Sequence, residues 1–203
     1  VIPLLCLLSK LGFRAAFRRE EFDEAQALVR NLSEREYGTA IPLERNLAKQ
    51  LARACFQKYP IVYAGADYFD VAALRWRGQI EENSKHLASH HVLPEMNHNE
   101  LVGWEHPKSL LRETLVLMLR DQGDHPRVQK RMDLTRGIIE QASGRVVELR
   151  SRGTGLLARM FSLVHLGDWL SFYLAVLNEA DPTPVRVIQH LKAELAKAPL
   201  TLK

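Results

Sequence analysis

The sequence has few cysteines, no concentrated basic stretch and no apolar run long enough to cross a bilayer. Its 2 cysteines, Cys6 and Cys55, are far apart and form no CxxC pair, so they neither staple a secreted scaffold nor build a zinc site. We therefore expect a reducing, cytoplasmic location. The net charge is only +4, with basic and acidic residues interspersed. Nucleic-acid binding usually needs a concentrated basic face, so we expect no nucleic-acid partner.

The N-terminal run VIPLLCLLSKLGF is apolar, but Lys10 interrupts it after nine residues. It is too short to span a bilayer, and no basic region precedes it as in a signal peptide. The pattern predicts a buried helix over residues 1–13 and no membrane partner. Because the sequence begins with Val1 inside this helix, we expect it to be a fragment or a processed chain.

Strand and helix patterns alternate along the rest of the chain, in which hydrophobic residues make up 46% overall. Short apolar runs predict strands, and apolar residues at helical spacing predict the helices between them. This alternation indicates an α/β fold, a three-layer αβα sandwich with a parallel sheet plus N- and C-terminal helices. Such sheets bind ligands beyond the carboxyl ends of their strands, where residues 64–67 and the loop after Pro94 fall. The predicted strands are PIVYAG, HHVLP, TLVLML and RVVEL; the predicted helices cover residues 20–35, 43–57, 68–88, 126–142, 156–178 and 185–197.

The window from Ile80 to Trp104 concentrates the residues that could do chemistry, with several carboxylates and four histidines. The histidines do not form HExxH or another recognisable ligand spacing. His90 and His91 are adjacent on a predicted strand and would point to opposite faces. We therefore expect no metal site.

Two residues of this window have both a structural and a chemical interpretation. On sequence alone, Glu82 is best interpreted as a surface glutamate paired with Lys85 or His86 on its own helix; chemically, it could remove a proton from a carbon next to a carbonyl. His98 could simply begin a helix capped by a neighbouring asparagine, or it could shuttle protons during sugar-ring opening.

Two weaker patterns favour structural roles. Gly153-Thr154-Gly155 precedes a helix and could offer N–H groups to a phosphate, but a plain helix-entry turn is favoured. Ser162, His165 and Asp168 suggest a catalytic triad, yet the chain has no nucleophile elbow, and their spacing on one apolar helix is typical of interface polar residues.

Several phrases together resemble the bifunctional phosphoglucose/phosphomannose isomerases of the sugar-isomerase (SIS) superfamily. They span roughly residues 46 to 195 in the family's order, and the most specific are those that contain EENSK and PEMNHNE. The phrases are NLAKQLA, IVYAGADYFDVAALRWRGQIEENSKHLA, LPEMNHNELVGW, SLVHLGDWLSFYLA and DPTPVRVIQHLK.

The resemblance implies an aldose–ketose isomerase that interconverts glucose 6-phosphate and/or mannose 6-phosphate with fructose 6-phosphate through a cis-enediol. It implies that Glu82 of EENSK carries the proton, and that His98 of NHNE opens the ring from across a homodimer interface. It also implies that Thr183 of DPTP makes room for either C2 epimer and that Lys192 contacts substrate. The implied partners are a phosphorylated hexose and a second subunit that shares the active site; no metal or organic cofactor is implied.

The resemblance further implies a domain division in which much of the family's enzyme lies upstream. Residues 1–42 would be a helical lead-in from a missing first SIS domain, 43–180 the SIS-type isomerase domain, and 181–203 a helical tail. Because the family's phosphate loop and an enediolate-stabilising arginine belong to the missing part, we expect this fragment alone to be inactive.

Two other functions remain open at this stage. The chain could be a non-catalytic SIS-type module that binds a sugar phosphate, which would need neither Glu82 nor His98. It could instead be an interaction domain whose apolar N-terminal helix docks a partner, in which case hexose phosphates would have no effect.

Overall fold

The computed structural model describes residues 4, 7–8, 10–12, 18–142 and 144–198. The buried helix expected over residues 1–13 lies partly outside these residues; of its described side chains, Leu4, Leu7 and Leu11 are 59%, 53% and 63% exposed, so the expected burial is wrong for them. In the described part, each predicted strand and each other predicted helix is present, with ends shifted by a few residues. The helices are α1 (Arg19–Leu32), α2 (Leu47–Cys55), α3 (Asp70–Ser84), α4 (Glu100–Gly103), α5 (Lys108–Glu113), α6 (Pro126–Gln141), α7 (Leu156–Leu177) and α8 (Arg186–Leu195); the strands are β1 (Tyr59–Gly65), β2 (Ser89–Leu93), β3 (Thr114–Arg120) and β4 (Arg145–Arg150).

The four described strands form one parallel sheet in the order β2-β1-β3-β4. In register, β1 pairs with β2 from Ile61 opposite Ser89 to Gly65 opposite Leu93, and with β3 from Tyr59 opposite Thr114. Each residue of β3 is buried, as expected for a central strand covered on both faces. The chain reverses its direction of winding at β1, because β2 lies on one side of that strand and β3 on the other.

Alternate residues of the strands enter two separate hydrophobic layers, because side chains alternate between the two faces of a strand. Val62 and Leu117 face a layer formed by α1, α2, α3 and α7, whereas Tyr63 and Met118 face a layer that includes residues of α5 and α6. The predicted three-layer αβα sandwich is therefore confirmed.

Helix α7 lies at the centre of the first layer and packs against α1, α2 and α3. It is long and apolar enough to cross a membrane by length and composition, but half of its most apolar window is buried inside the protein. Trp76 of α3 is fully buried against it and donates a hydrogen bond from Nε1 to the Leu163 carbonyl, at 2.8 Å. Contacts of this kind account for the apolar composition of α7.

The N-terminus of α7 is occupied by a carboxylate from α1. The backbone N–H groups of Thr154 and Gly155 donate to Glu24, at 2.6 and 3.0 Å, and these hydrogen bonds lower the pKa of Glu24. The helix-entry interpretation of Gly153-Thr154-Gly155 is therefore correct, because the chain itself fills the position that a phosphate would take.

The polar residues of α7 do not form a triad. Asp168 pairs with Arg75 at 3.0 Å, His165 Nε2 lies 2.7 Å from Ser33 Oγ, and the Ser162 hydroxyl accepts the Arg152 N–H. Each side chain holds a different neighbour against the helix, as expected for interface polar residues.

Candidate functional site

Glu82 lies in the last turn of α3, at the amino-terminal edge of the sheet. Helix α3 starts beyond the carboxyl end of β1 and returns across the sheet before β2 begins. Just after the helix, His86 Nε2 lies 2.6 Å from the carbonyl oxygen of Lys58, which immediately precedes β1. The helix end that carries Glu82 is thus anchored at the edge opposite to the one where parallel sheets usually bind ligands.

A cleft of about 840 Å³ opens beside this helix end, between α3 and the start of α8. Glu82 is exposed and lines the cleft. The interpretation of Glu82 as a surface glutamate is correct, but the expected pairing of its carboxylate with Lys85 or His86 is wrong. The Lys85 ammonium instead contacts the backbone carbonyl of Glu82 at 2.5 Å. The lining residues are Glu81, Glu82, Lys85, His86, Leu87, Asp181, Pro184, Val185, Arg186, Val187 and Ile188.

Two cations in the cleft were not singled out from the sequence. Lys85 and Arg186 both line it, although about a hundred residues separate them in the chain. The Lys85 ammonium also lies 3.5 Å from the Pro182 carbonyl and so connects the two walls. Such paired cations can bind an anionic group. The only sequence signal was their position inside the phrases EENSK and DPTPVRV.

The structure brings Thr183 near the cleft but leaves Lys192 farther along α8. Thr183 is exposed, and its N–H donates to Asp181 Oδ1 at 2.9 Å in the turn that forms one wall. Lys192 is exposed and does not line the cleft. The cation of α8 that lines the cleft is instead Arg186, the first residue of that helix.

His98 lies at the carboxyl edge of the sheet, on the segment that follows β2. The Ala66 N–H, just after β1, donates to the Leu93 carbonyl at 3.0 Å and marks this edge. His98 follows five residues later and is exposed. A strand of seven residues spans about 20 Å, so Glu82 and His98 lie near opposite edges of the same sheet. One copy of the chain therefore does not bring the two side chains into one site.

The four histidines of the window are dispersed rather than clustered. His86 contacts Lys58, whereas His91 Nδ1 lies 2.9 Å from Glu100 Oε2. His90 is near Arg77, and burial together with this charge lowers the pKa of His90. Across the described residues, no group of three or more His, Cys, Asp or Glu side chains could hold a metal ion.

Known proteins share both the fold and the sequence pattern. A glucose-6-phosphate isomerase-like protein from Thermus thermophilus superposes with a TM-score of 0.72 at 22% identity, covering 90% of this chain and 59% of that chain. This similarity shows that the parallel sheet and its two helical layers form a known α/β fold.

Sequence relatives narrow the class to a family. Residues 44–195 match the model of a family described as "Bacterial phospho-glucose isomerase C-terminal SIS domain". A Caldicellulosiruptor bescii protein named bifunctional phosphoglucose/phosphomannose isomerase is 44% identical over 196 residues, or 97% of this chain and 57% of that protein. A protein of the same name from Aquifex aeolicus is 42% identical over 149 residues, or 73% of this chain and 46% of that protein.

The chain therefore belongs to the family of bacterial phosphoglucose isomerase C-terminal SIS domains, as the motifs had indicated. It spans about half the length of the curated relatives it matches.

Proposed function

We propose that this chain is the C-terminal portion of an aldose–ketose isomerase that interconverts glucose 6-phosphate and/or mannose 6-phosphate with fructose 6-phosphate. The observation that carries the proposal is the carboxylate of Glu82, which is exposed in the large cleft beside Lys85 and Arg186. A base next to cations suits a substrate that is anionic and that loses a proton during reaction. The hexose phosphates are those of the relatives, which are named phosphoglucose/phosphomannose isomerases.

In the proposed mechanism, Glu82 takes the proton from C2 of the open-chain aldose and returns it to C1. The proton on the C2 oxygen passes to the C1 oxygen, so that the intermediate is the singly ionised form of a cis-enediol and the net change is internal to the sugar once Glu82 has returned its proton to C1. Lys85 and Arg186 would bind the phosphate or offset the charge that develops on the enediolate oxygen. Thr183, at the rim of the cleft, would leave room for either epimer at C2, and Lys192 would contact substrate once α8 is covered.

Ring opening requires a second proton carrier, which we assign to His98 of a second subunit in a homodimer. The opposite-edge positions of Glu82 and His98 support this assignment, because the two could meet only if another copy brings its carboxyl edge to the cleft. The surface of α8 also supports it. No residue of α8 is buried, and Val187, Leu191 and Leu195 are 82%, 56% and 62% exposed.

The test uses the full-length protein, with the upstream half present, and measures isomerisation of both aldose phosphates. Glu82→Gln keeps the shape of the side chain but cannot accept a proton, so we expect turnover to fall roughly 10²-fold or more with folding intact. Glu105→Gln, an exposed carboxylate outside the cleft, is the matched control and should leave turnover unchanged. If Glu82→Gln matches the control, Glu82 has no part in the reaction. Binding of hexose phosphate without turnover in the unmodified protein would instead indicate a sugar-phosphate-binding module.

Subunit mixing tests whether the site is shared. In a dimer of one His98→Ala subunit and one Glu82→Gln subunit, one site would keep both functional groups and the other would lose both. Random mixing should therefore restore about a quarter of the unmodified activity, because half of the dimers are mixed and each has one complete site. Activity no higher than the mean of the two parent variants would refute the shared site.

A further inference from the structure

The segment that carries His98 is short and irregular, and buried side chains hold it in place. It consists of a 3-10 turn, Glu95–Asn97, followed by the single-turn helix α4. Met96 is fully buried and Trp104 is 4% exposed, so both ends of the segment are packed into the second hydrophobic layer. A segment without long helices or strands depends on such side-chain contacts for its conformation.

Glu100 connects this segment to two strands through one carboxylate, which is only 18% exposed. The fully buried Tyr63 of β1 donates its hydroxyl hydrogen bond to Oε1, and Oε2 lies 2.9 Å from Nδ1 of His91 on β2. Trp104 in turn donates from Nε1 to the Tyr63 hydroxyl at 3.2 Å. Burial raises the pKa of Glu100, while the Tyr63 hydrogen bond and the His91 charge oppose that shift. Oε2 is buried and makes no hydrogen bond, so its one close polar partner among the described residues is the His91 ring, and a buried carboxylate depends on such a partner.

Asn97 holds the other side of His98. Its amide donates to Thr135 Oγ1 at 2.9 Å and accepts from Arg131 at 3.3 Å, which ties the turn to α6. His98 lies between these two anchored points, is exposed, and makes no side-chain hydrogen bond to another described residue. Its imidazole is therefore positioned by its neighbours rather than by contacts of its own.

We propose that Glu100 is a positioning residue, whose contacts with Tyr63 and His91 fix α4 and thereby hold the His98 imidazole where a second subunit's cleft receives it. This inference rests on the proposed function. Glu100 contacts no residue of the cleft in its own subunit, so its effect on the reaction passes through His98. Displacement of a reacting group by about 1 Å can slow turnover by about 10²-fold, and a loosened segment would produce displacements of that kind.

The experiment compares Glu100→Ala and Glu100→Gln in the full-length protein. Glu100→Ala removes both contacts, and we expect turnover to fall about 10-fold or more while KM for the hexose phosphate changes less than about twofold. Glu100→Gln retains an acceptor for Tyr63 and should fall between Glu100→Ala and the unmodified protein; it also serves if Glu100→Ala does not fold. Glu105→Gln, an exposed residue just beyond the segment, is the control and should change neither quantity.

A double-mutant cycle separates positioning from a general structural role. If Glu100 acts only through His98, then Glu100→Gln should not lower turnover further once His98→Ala is present. Equal fold losses with and without His98 would mean that Glu100 acts elsewhere, and the proposal would be overturned.

Amide hydrogen exchange tests the same idea without any turnover measurement. Exchange across residues 95–104 should speed up in Glu100→Gln and stay unchanged in Glu105→Gln. Unchanged exchange in Glu100→Gln would overturn the proposal even in an active enzyme. An inactive unmodified protein would refute the proposed isomerase function separately, and the exchange rates would still decide whether Glu100 fixes the segment.

Discussion

Helix α7 crosses α3 at Gly167, and adding one methyl group there should damage the protein measurably. A Cβ at position 167 would lie 2.6 Å from Cδ1 of Trp76, well inside van der Waals contact. Because Trp76 is fully buried and donates to the Leu163 carbonyl, the indole cannot move without disturbing both its packing and its hydrogen bond.

The magnitude for Gly167→Ala follows from three effects. Overpacking a core costs about 1 to 3 kcal/mol, and losing the acceptor of a buried donor costs about 1 to 3 kcal/mol. Replacing glycine by alanine inside a helix offsets about 1 kcal/mol. We therefore expect the free energy of unfolding to fall by about 1 to 5 kcal/mol; the midpoint of about 3 kcal/mol corresponds to a drop of about 10 °C in Tm for a chain of this size.

Gly78→Ala is the matched control, because Gly78 lies inside α3 and a Cβ there would meet no atom within 4 Å apart from its chain neighbours and the backbone of its own helix. Without a steric conflict only the helix propensity changes, so this variant should gain about 0.5 to 1 kcal/mol. Urea unfolding followed by tryptophan fluorescence would measure both variants. If Gly167→Ala proved as stable as Gly78→Ala, the close contact between α3 and α7 would be refuted.

Two further predictions concern one buried and one half-buried polar group in the first layer. Asn46 is fully buried, caps α2 and donates to the Tyr37 and Gly38 carbonyls. Asn46→Ala should therefore lower the free energy of unfolding by about 2 to 4 kcal/mol. A loss below about 1 kcal/mol in urea unfolding would contradict these hydrogen bonds. Burial lowers the pKa of His165 from its ordinary value of 6.5, so the unfolded chain binds the proton more readily and stability is lost as the pH falls below that value. Lowering the pH from about 7.5 to about 5.5 should therefore reduce the free energy of unfolding more in the unmodified protein than in His165→Gln. Urea unfolding of both proteins at both pH values measures these two losses, and equal losses in the two proteins would contradict the prediction.

The sheet and its helices could be predicted from sequence because their signals are local. The fully buried strand β3 contains the apolar run LVLML, and Pro126 is the first residue of α6. Most differences are shifted ends, such as the end of α3 at Ser84 rather than at Ala88, where Lys85 adopts a left-handed conformation with φ of 54°. The short helix α5 was not predicted at all.

The arrangement of the candidate site could not be predicted, because it depends on contacts between distant parts of the chain. The phrases that contain Glu82 and His98 indicated which residues to consider, but only the strand order shows that these two lie at opposite edges of one sheet. The cleft similarly needs Arg186, from the start of α8, to meet Lys85. Glu100 was overlooked because its partners lie on β1 and β2, and nothing in the sequence NHNE shows that its fourth residue points inward.

The hydrogen bonds between Glu24 and the start of α7 join residues that are 130 positions apart, and this has a consequence for synthesis. While the ribosome makes the chain, α1 and α2 emerge early, but the helix that covers them emerges more than a hundred residues later. At about 5–20 residues per second, this delay is on the order of ten seconds. The apolar faces of α1 and α2 therefore remain uncovered during that interval, and we expect chaperones of nascent chains to bind these faces.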